Sequence, residues 1–198
     1  MKRIAILGSL LFFIGCSVTA PAVTEYRVDP LLNNETDKLQ LCRDKTITIG
    51  QVFTENSLIT NQMKYVQSGY KEFSYTQSEW ASSPNKAISR ALLKSVRDSK
   101  VFASVSSYRS RARNELLLET NVDSFIQYYG EENNSSFVKV VFSLSLVDVK
   151  DVKAIDSIVI EKKIQSESLN AEGGVKALNT GLSEVLEETN IWLSEACR

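Results

Sequence analysis

The sequence contains no histidine. That removes the side chain that most often serves as general base and as metal ligand. Cysteine is scarce, with three residues. No Gly-rich phosphate loop, zinc-type His/Cys cluster or Gly-x-Ser-x-Gly elbow occurs. The adjacent acids Glu131-Glu132 and Glu187-Glu188 point in different directions on a strand or helix and read as solvated surface. No catalytic residue, metal or cofactor is therefore expected. Nor is there a cation excess: 23 basic residues stand against 24 acidic ones, which argues against bulk nucleic-acid binding. Outside the N-terminus no hydrophobic run approaches membrane-spanning length.

What is present begins with Lys2 and Arg3, followed by an apolar run from Ile4 to Ile14 that ends in Phe13-Ile14-Gly15-Cys16. Eleven helical residues reach only about 16 Å, against about 30 Å of hydrocarbon. The run is thus too short to span and reads as a secretory signal. An apolar-apolar-small-Cys ending resembles a bacterial lipobox, so residues 1–15 are expected to be a lipoprotein signal peptide. Cys16 would then carry the lipid, with palmitate among its chains, and attach the protein to a membrane. Cleavage would remove Lys2 and Arg3, leaving 21 basic against 24 acidic residues. Ser17, in place of an inner-membrane-retention Asp, favours the periplasmic face of the outer membrane. Cys42 and Cys197 remain as a pair in a compartment where disulfides persist. Two unrelated thiols, or bonds to another chain, are the other readings.

Residues 16–44 read as the lipidated N-terminus and a flexible tether, with Glu25-Tyr26-Arg27-Val28 a short extended contact. The folded domain is expected over 45–198. Lys45–Phe53 alternates, with Ile47, Ile49 and Gln51 on one side, and reads as a strand. Residues 62–67 and 70–76 around Ser68-Gly69 make a hairpin. Ser83 caps a helix with Pro84 at its first position. Its apolar stripe is Ile88, Ala91, Leu92, Ser95 and Val96. A strand follows over 101–108. At 115–129, Leu116, Leu118, Val122, Ile126 and Tyr128 hold the even positions, which predicts a half-buried strand. Strands at 138–146 and 155–165 come next, then a helix capped by Asn170 with a strong apolar stripe. The order predicts an α+β fold, with an antiparallel or mixed sheet of about six to seven strands and two helices packed on one face.

Two surface features are candidates for contacts. Arg109, Arg111 and Arg113 alternate, so in extended chain they form a row that an anionic headgroup or acidic partner would fit. A solvated strand end beside Glu115 is the plainer reading. Phe125, Tyr129, Phe137 and Val141 fall on the expected wet face, as a contact surface or as packing under a loop. Gly173-Gly174 opens the last helix, for flexibility or close packing rather than an anion.

Residues 75–106 carry a family resemblance. Tyr75-Thr76-Gln77-Ser78-Glu79-Trp80, Pro84, Ile88-Ser89-Arg90-Ala91-Leu92 and Val101-Phe102-Ala103-Ser104-Val105 resemble the ABC-type transport auxiliary lipoproteins. These accompany MCE-type lipid transporters, including that of the paraquat-inducible Pqi system. The likeness continues through Leu116-Leu117-Leu118-Glu119 and from Ala177 to Leu193, over about residues 45–195. It implies a non-enzymatic, outer-membrane-anchored periplasmic subunit. Its partners would be an MCE-domain protein and ABC transporter subunits that move phospholipids or related molecules between membranes. Assembly through the wet face or sheet edges, including a homo-oligomeric ring, is a further expectation. Trp80, Ser83 and Pro84 match the motif and would hold the fold. A pilotin or an assembly factor for another outer-membrane complex is the alternative.

Overall fold

A computed structural model describes residues 22–32, 42–132 and 134–197; the expected signal peptide and Cys16 lie outside them. Within these residues the elements run β1 (Thr24–Tyr26), β2 (Thr46–Thr54), β3 (Gln62–Gln67), β4 (Lys71–Trp80), α1 (Pro84–Asp98), β5 (Ser104–Ser107), β6 (Leu116–Tyr129), β7 (Ser136–Asp148), β8 (Lys153–Gln165) and α2 (Ala171–Glu195). A turn of 3-10 helix, Asn56–Ile59, separates β2 from β3.

The α+β class is as expected, but the mixed sheet has eight strands rather than six to seven. The addition is β1, whose Thr24, Glu25 and Tyr26 pair in parallel with Ser78, Glu79 and Trp80. Three residues are too few for alternation to show in sequence. This part of the expected tether is therefore docked. Asn179 of α2 grips the residues after it, accepting from the Asp29 N–H (2.7 Å) and donating to the Arg27 carbonyl (3.2 Å).

Strand β6 is the hub. One edge pairs antiparallel with β7 along its length. The other edge is divided: Leu116–Val122 pairs in parallel with β2, and Gln127–Tyr129 in parallel with β3. The sheet therefore forks, with β5 outside β2 and the β4–β1 pair outside β3. A bulge marks the fork. Val122 faces Phe142 and Ser124 faces Val141, so Asp123 is one residue too many for its partner strand. The extra residue inverts side-chain parity. Leu116, Leu118, Thr120 and Val122 are buried before it, Phe125 and Gln127 after it. Ile126 and Tyr128, expected in the core, are displaced to the other face. A second bulge acts likewise in β2, where Val52 rather than Gln51 is buried.

Both helices meet the core on one face. In α1, Pro84 occupies the first turn as expected, and Ser83 sits at the cap without a side-chain capping bond. Ile88, Leu92 and Val96 face inward. In α2, Asn170 Oδ1 accepts from the Gly173 N–H at 2.9 Å. Leu182, Leu186 and Leu193 are fully buried, each stabilising the fold by about 1.5–3 kcal/mol. Asn190 donates to Ser95 Oγ (2.8 Å), joining the helices inside the core. Cys42 before β2 and Cys197 after α2 form a disulfide, with Cα atoms 5.3 Å apart.

The start of α2 rests on a buried polar chain. Gln127 Nε2 donates to Ser136 Oγ (2.7 Å) and to the Asn170 carbonyl (3.3 Å). Its Oε1 accepts from the Tyr75 hydroxyl at 2.8 Å. Tyr75 has spent its one proton there, so in the 2.7 Å Tyr75–Tyr129 contact Tyr129 is the donor. Gly174 lies directly over this amide: a Cβ there would stand 1.9 Å from Gln127 Oε1. Close packing is thus the reason for the glycine. Gly174→Ala is expected to lower unfolding free energy by about 1–3 kcal/mol through overpacking. Urea denaturation checks this, and an unchanged midpoint would mean that the helix start has room to move.

Candidate docking surfaces

The sheet has two faces, and no described helix covers the one opposite α1 and α2. Its middle is polar. Asp123 accepts from Asn121 Nδ2 and Ser143 Oγ, Ser145 and Ser157 share a hydrogen bond at 3.0 Å, and Lys139 pairs with Glu161 at 3.1 Å. At one end Phe137 stacks on Tyr128, ring centroids 5.3 Å apart and planes 8° apart. Lys163 Nζ stands 3.9 Å above the Phe137 ring. Val159 and Phe53 on this face are 65% and 63% exposed.

The expected contact residues divide between the faces. Phe137 is on the wet face. Phe125 is not: it is 3% exposed and packs toward Trp80 on the helix side, ring centroids 6.1 Å apart. Val141 is buried although its strand position is outward. Tyr129 also turns to the helix side, because the Asp123 bulge precedes it. There it joins an aromatic cluster that pattern reading missed. Tyr65 lies 4.6 Å from Tyr75, 5.2 Å from Tyr129 and 5.6 Å from Phe73, measured between ring centroids. These tyrosines and Leu169 line a cavity of about 230 Å³. Burial pushes the Tyr75 phenol well above its ordinary pKa and keeps it a neutral donor to Gln127. The odd positions 65, 73 and 75 are visible in sequence; their meeting with Tyr129 depends on the bulge.

The arginine row is also corrected. β5 ends at Ser107, so Arg109, Arg111 and Arg113 lie in irregular chain before β6 and form no strand row. Arg111 and Arg113 are exposed. Arg109 folds onto Tyr108, its guanidinium 5.4 Å from the ring centroid, and lines a cleft beside α1. The neighbouring Glu115 holds strand starts together. It accepts from Lys45 Nζ (2.8 Å) and the Thr46 N–H (3.2 Å), which keep its carboxyl below the usual range. Among the described residues no group of three or more acidic or cysteine side chains is placed to hold a metal. Nor is any helix among them long and apolar enough to cross a membrane.

These features define an α+β domain, tied from Cys42 to Cys197, with one sheet face that no described helix covers. The family of ABC-type transport auxiliary lipoprotein components matches residues 34–189, and the chain belongs to it. That family is an auxiliary part of transporters and not an enzyme class. No curated protein matches the chain. Among solved structures, protein XCC0632 from Xanthomonas campestris is similar over 87% of this chain and 96% of its own, with 14% identity and a TM-score of 0.77. The crystal structure of a second, uncharacterized protein covers 86% of this chain and 97% of its own, with 14% identity and a TM-score of 0.65. At such identity the likeness shows the fold alone.

The corrected faces separate two substitutions that simple alternation would treat alike. Phe125→Asp buries a carboxylate under Trp80 and is expected to remove at least about 4 kcal/mol of stability. Phe137→Asp, on the wet face, is expected to change it by less than about 1 kcal/mol. Urea unfolding of both variants checks the assignment; equal losses would contradict the parity change at Asp123.

Proposed function

We propose that this chain is the outer-membrane-anchored periplasmic lipoprotein of an ABC/MCE-type system that moves phospholipids or related hydrophobic molecules between the two membranes. The observation that carries this reading is the family match over residues 34–189, which takes in nearly all of the folded domain. The Phe13-Ile14-Gly15-Cys16 ending supports lipid attachment at Cys16. On this reading the protein works by docking, and ATP hydrolysis belongs to other subunits. The uncovered sheet face, with Phe137 and Tyr128 at its end, is the surface offered to an MCE-domain partner or to further copies in a ring.

Cys16→Ser is expected to move the protein from the membrane to the soluble periplasmic fraction, or to leave it unprocessed. The wild-type protein is expected to co-purify with an MCE-domain protein after crosslinking in cells. Unchanged membrane fractionation of the variant would overturn the anchor, and capture of a secretin or another outer-membrane assembly without the MCE protein would overturn the partner.

The Cys42–Cys197 bond is proposed to be closed in the mature protein. Its loop of 155 residues is worth about 4–5 kcal/mol in the chain-entropy model. Non-reducing peptide mass spectrometry is expected to find the two cysteine peptides joined, and reduction to lower the urea midpoint. Two free thiols under oxidising purification would refute it.

A further inference from the structure

Beside α1 lies a cleft of about 560 Å³, formed where β5 and β2 part. β5 pairs with β2 only over Thr46–Ile49, and β2 bulges immediately afterwards at Gly50-Gln51. The bulge is built on glycine, because a Cβ at Gly50 would stand 2.8 Å from the Leu118 carbonyl. The half-buried Leu93 is the apolar side of the cleft, above a floor at Ile49 and Val52, whose side chains turn into the core. Three cations border it: Lys86 and Arg90, one turn apart on α1, and Arg109 from the chain after β5.

Among the described residues no carboxylate lines this cleft, and none of the three cations has an ion pair. The contrast with the next turn of α1 is direct, where Lys94 is neutralised by Asp98. Arg109 is held in place by its neighbour, its Nε donating to the Tyr108 hydroxyl at 3.1 Å. Arg90 is steadied by Ser82 Oγ at 3.3 Å. Three like charges around one concavity repel each other unless an anion enters, and clefts with low-dielectric walls concentrate that field. The chain as a whole carries no cation excess, so this is a local arrangement.

We propose that this cleft binds the phosphate ester of an anionic lipid headgroup, with Arg90, Arg109 and Lys86 on the phosphate oxygens and Leu93 against the glycerol and first acyl carbons. Guanidinium groups match phosphate oxygens in paired, charge-assisted hydrogen bonds. The volume lies within the range of about 300–1,000 Å³ usual for small-ligand sites. An acidic peptide shares the charge but needs an extended track, whereas this site is bounded and has an apolar wall. The choice of a lipid as the source rests on the lipid-transport reading above; the phosphate chemistry does not.

The test uses the full-length lipoprotein in neutral detergent, with binding followed by calorimetry. Dihexanoyl phosphatidylglycerol is expected to bind saturably, and Arg90→Gln/Arg109→Gln to weaken it by at least about tenfold while the circular-dichroism spectrum stays unchanged. Inorganic phosphate is expected to compete, but at least about tenfold more weakly than the lipid probe. Phosphate binding as tightly as the lipid would overturn the lipid as the source. No saturable binding, or binding untouched by the double substitution, would overturn the site. Displacement of the lipid by hexaglutamate at lower concentration than by phosphate would overturn it in favour of an acidic protein partner. A Cys16→Ser protein that stayed on membranes would refute the anchoring reading and leave this titration unaffected.

Discussion

One additional residue in β6 sets the arrangement of everything around it. Because β6 is hydrogen-bonded to β7 on both sides of Asp123, the surplus cannot be absorbed by sliding the register. It has to appear as a local twist and a change of side-chain parity. Asp123 itself is turned outward, where Asn121 and Ser143 satisfy its carboxylate. The opposite edge of β6 divides at the same level, β2 serving the stretch before the bulge and β3 the end after it. From that single displacement follow the burial of Phe125 beside Trp80, the placing of Gln127 under α2 and the turn of Tyr129 toward Tyr65 and Tyr75.

Gln127 converts this displacement into a fixed helix position. A buried amide is costly unless its donors and acceptor are used. Here both Nε2 protons and the Oε1 acceptor have partners, drawn from β7, β4 and the residue that caps α2. An apolar side chain would fill the space but would leave the Tyr75 hydroxyl without its acceptor. The amide can approach so closely only because Gly174 offers no side chain. Asn170 then does double duty: its side chain caps Gly173 while its carbonyl accepts from Gln127. The start of α2 is thereby tied to the sheet by directional bonds, and the leucines farther along supply the bulk of the burial.

Much of this architecture is legible in the residues. A long alternating run reveals β7, the threefold and fourfold spacing of Leu178, Leu182, Val185 and Leu186 reveals α2, and Asn170 marks its cap. Trp80 before Pro84 is legible as a fold-holding aromatic, and it is buried at the junction of β4 and α1. What alternation misses are the two bulges. Asn121-Val122-Asp123-Ser124 contains neither Gly nor Pro, and its partner strand must be known before a surplus residue can be counted. The errors at Phe125, Tyr129, Ile126 and Tyr128 all descend from that one omission. β1 escapes because its pairing depends on β4, more than fifty residues away. The arginines at 109, 111 and 113 alternate only if their backbone is extended, and the chain leaves β5 before it reaches them.

The near balance of charge in the whole chain conceals a division of sign between the two helices. On α2, Glu184, Glu187 and Glu188 gather around Lys162 of β8, raising its pKa, with Glu188 bonded to it at 2.6 Å. On α1, Lys86 and Arg90 stand without such partners. The segment Arg27–Leu32 runs along α1 too, bordering a second cavity of about 680 Å³ to which Arg90 also contributes. At physiological ionic strength a charge is felt over roughly 8 Å, so a partner or ligand reads the charges beside it and not the net charge of the chain. The uncompensated cations thus share α1 with the chain segment that leads toward Cys16, apart from the acidic group of α2 around Lys162.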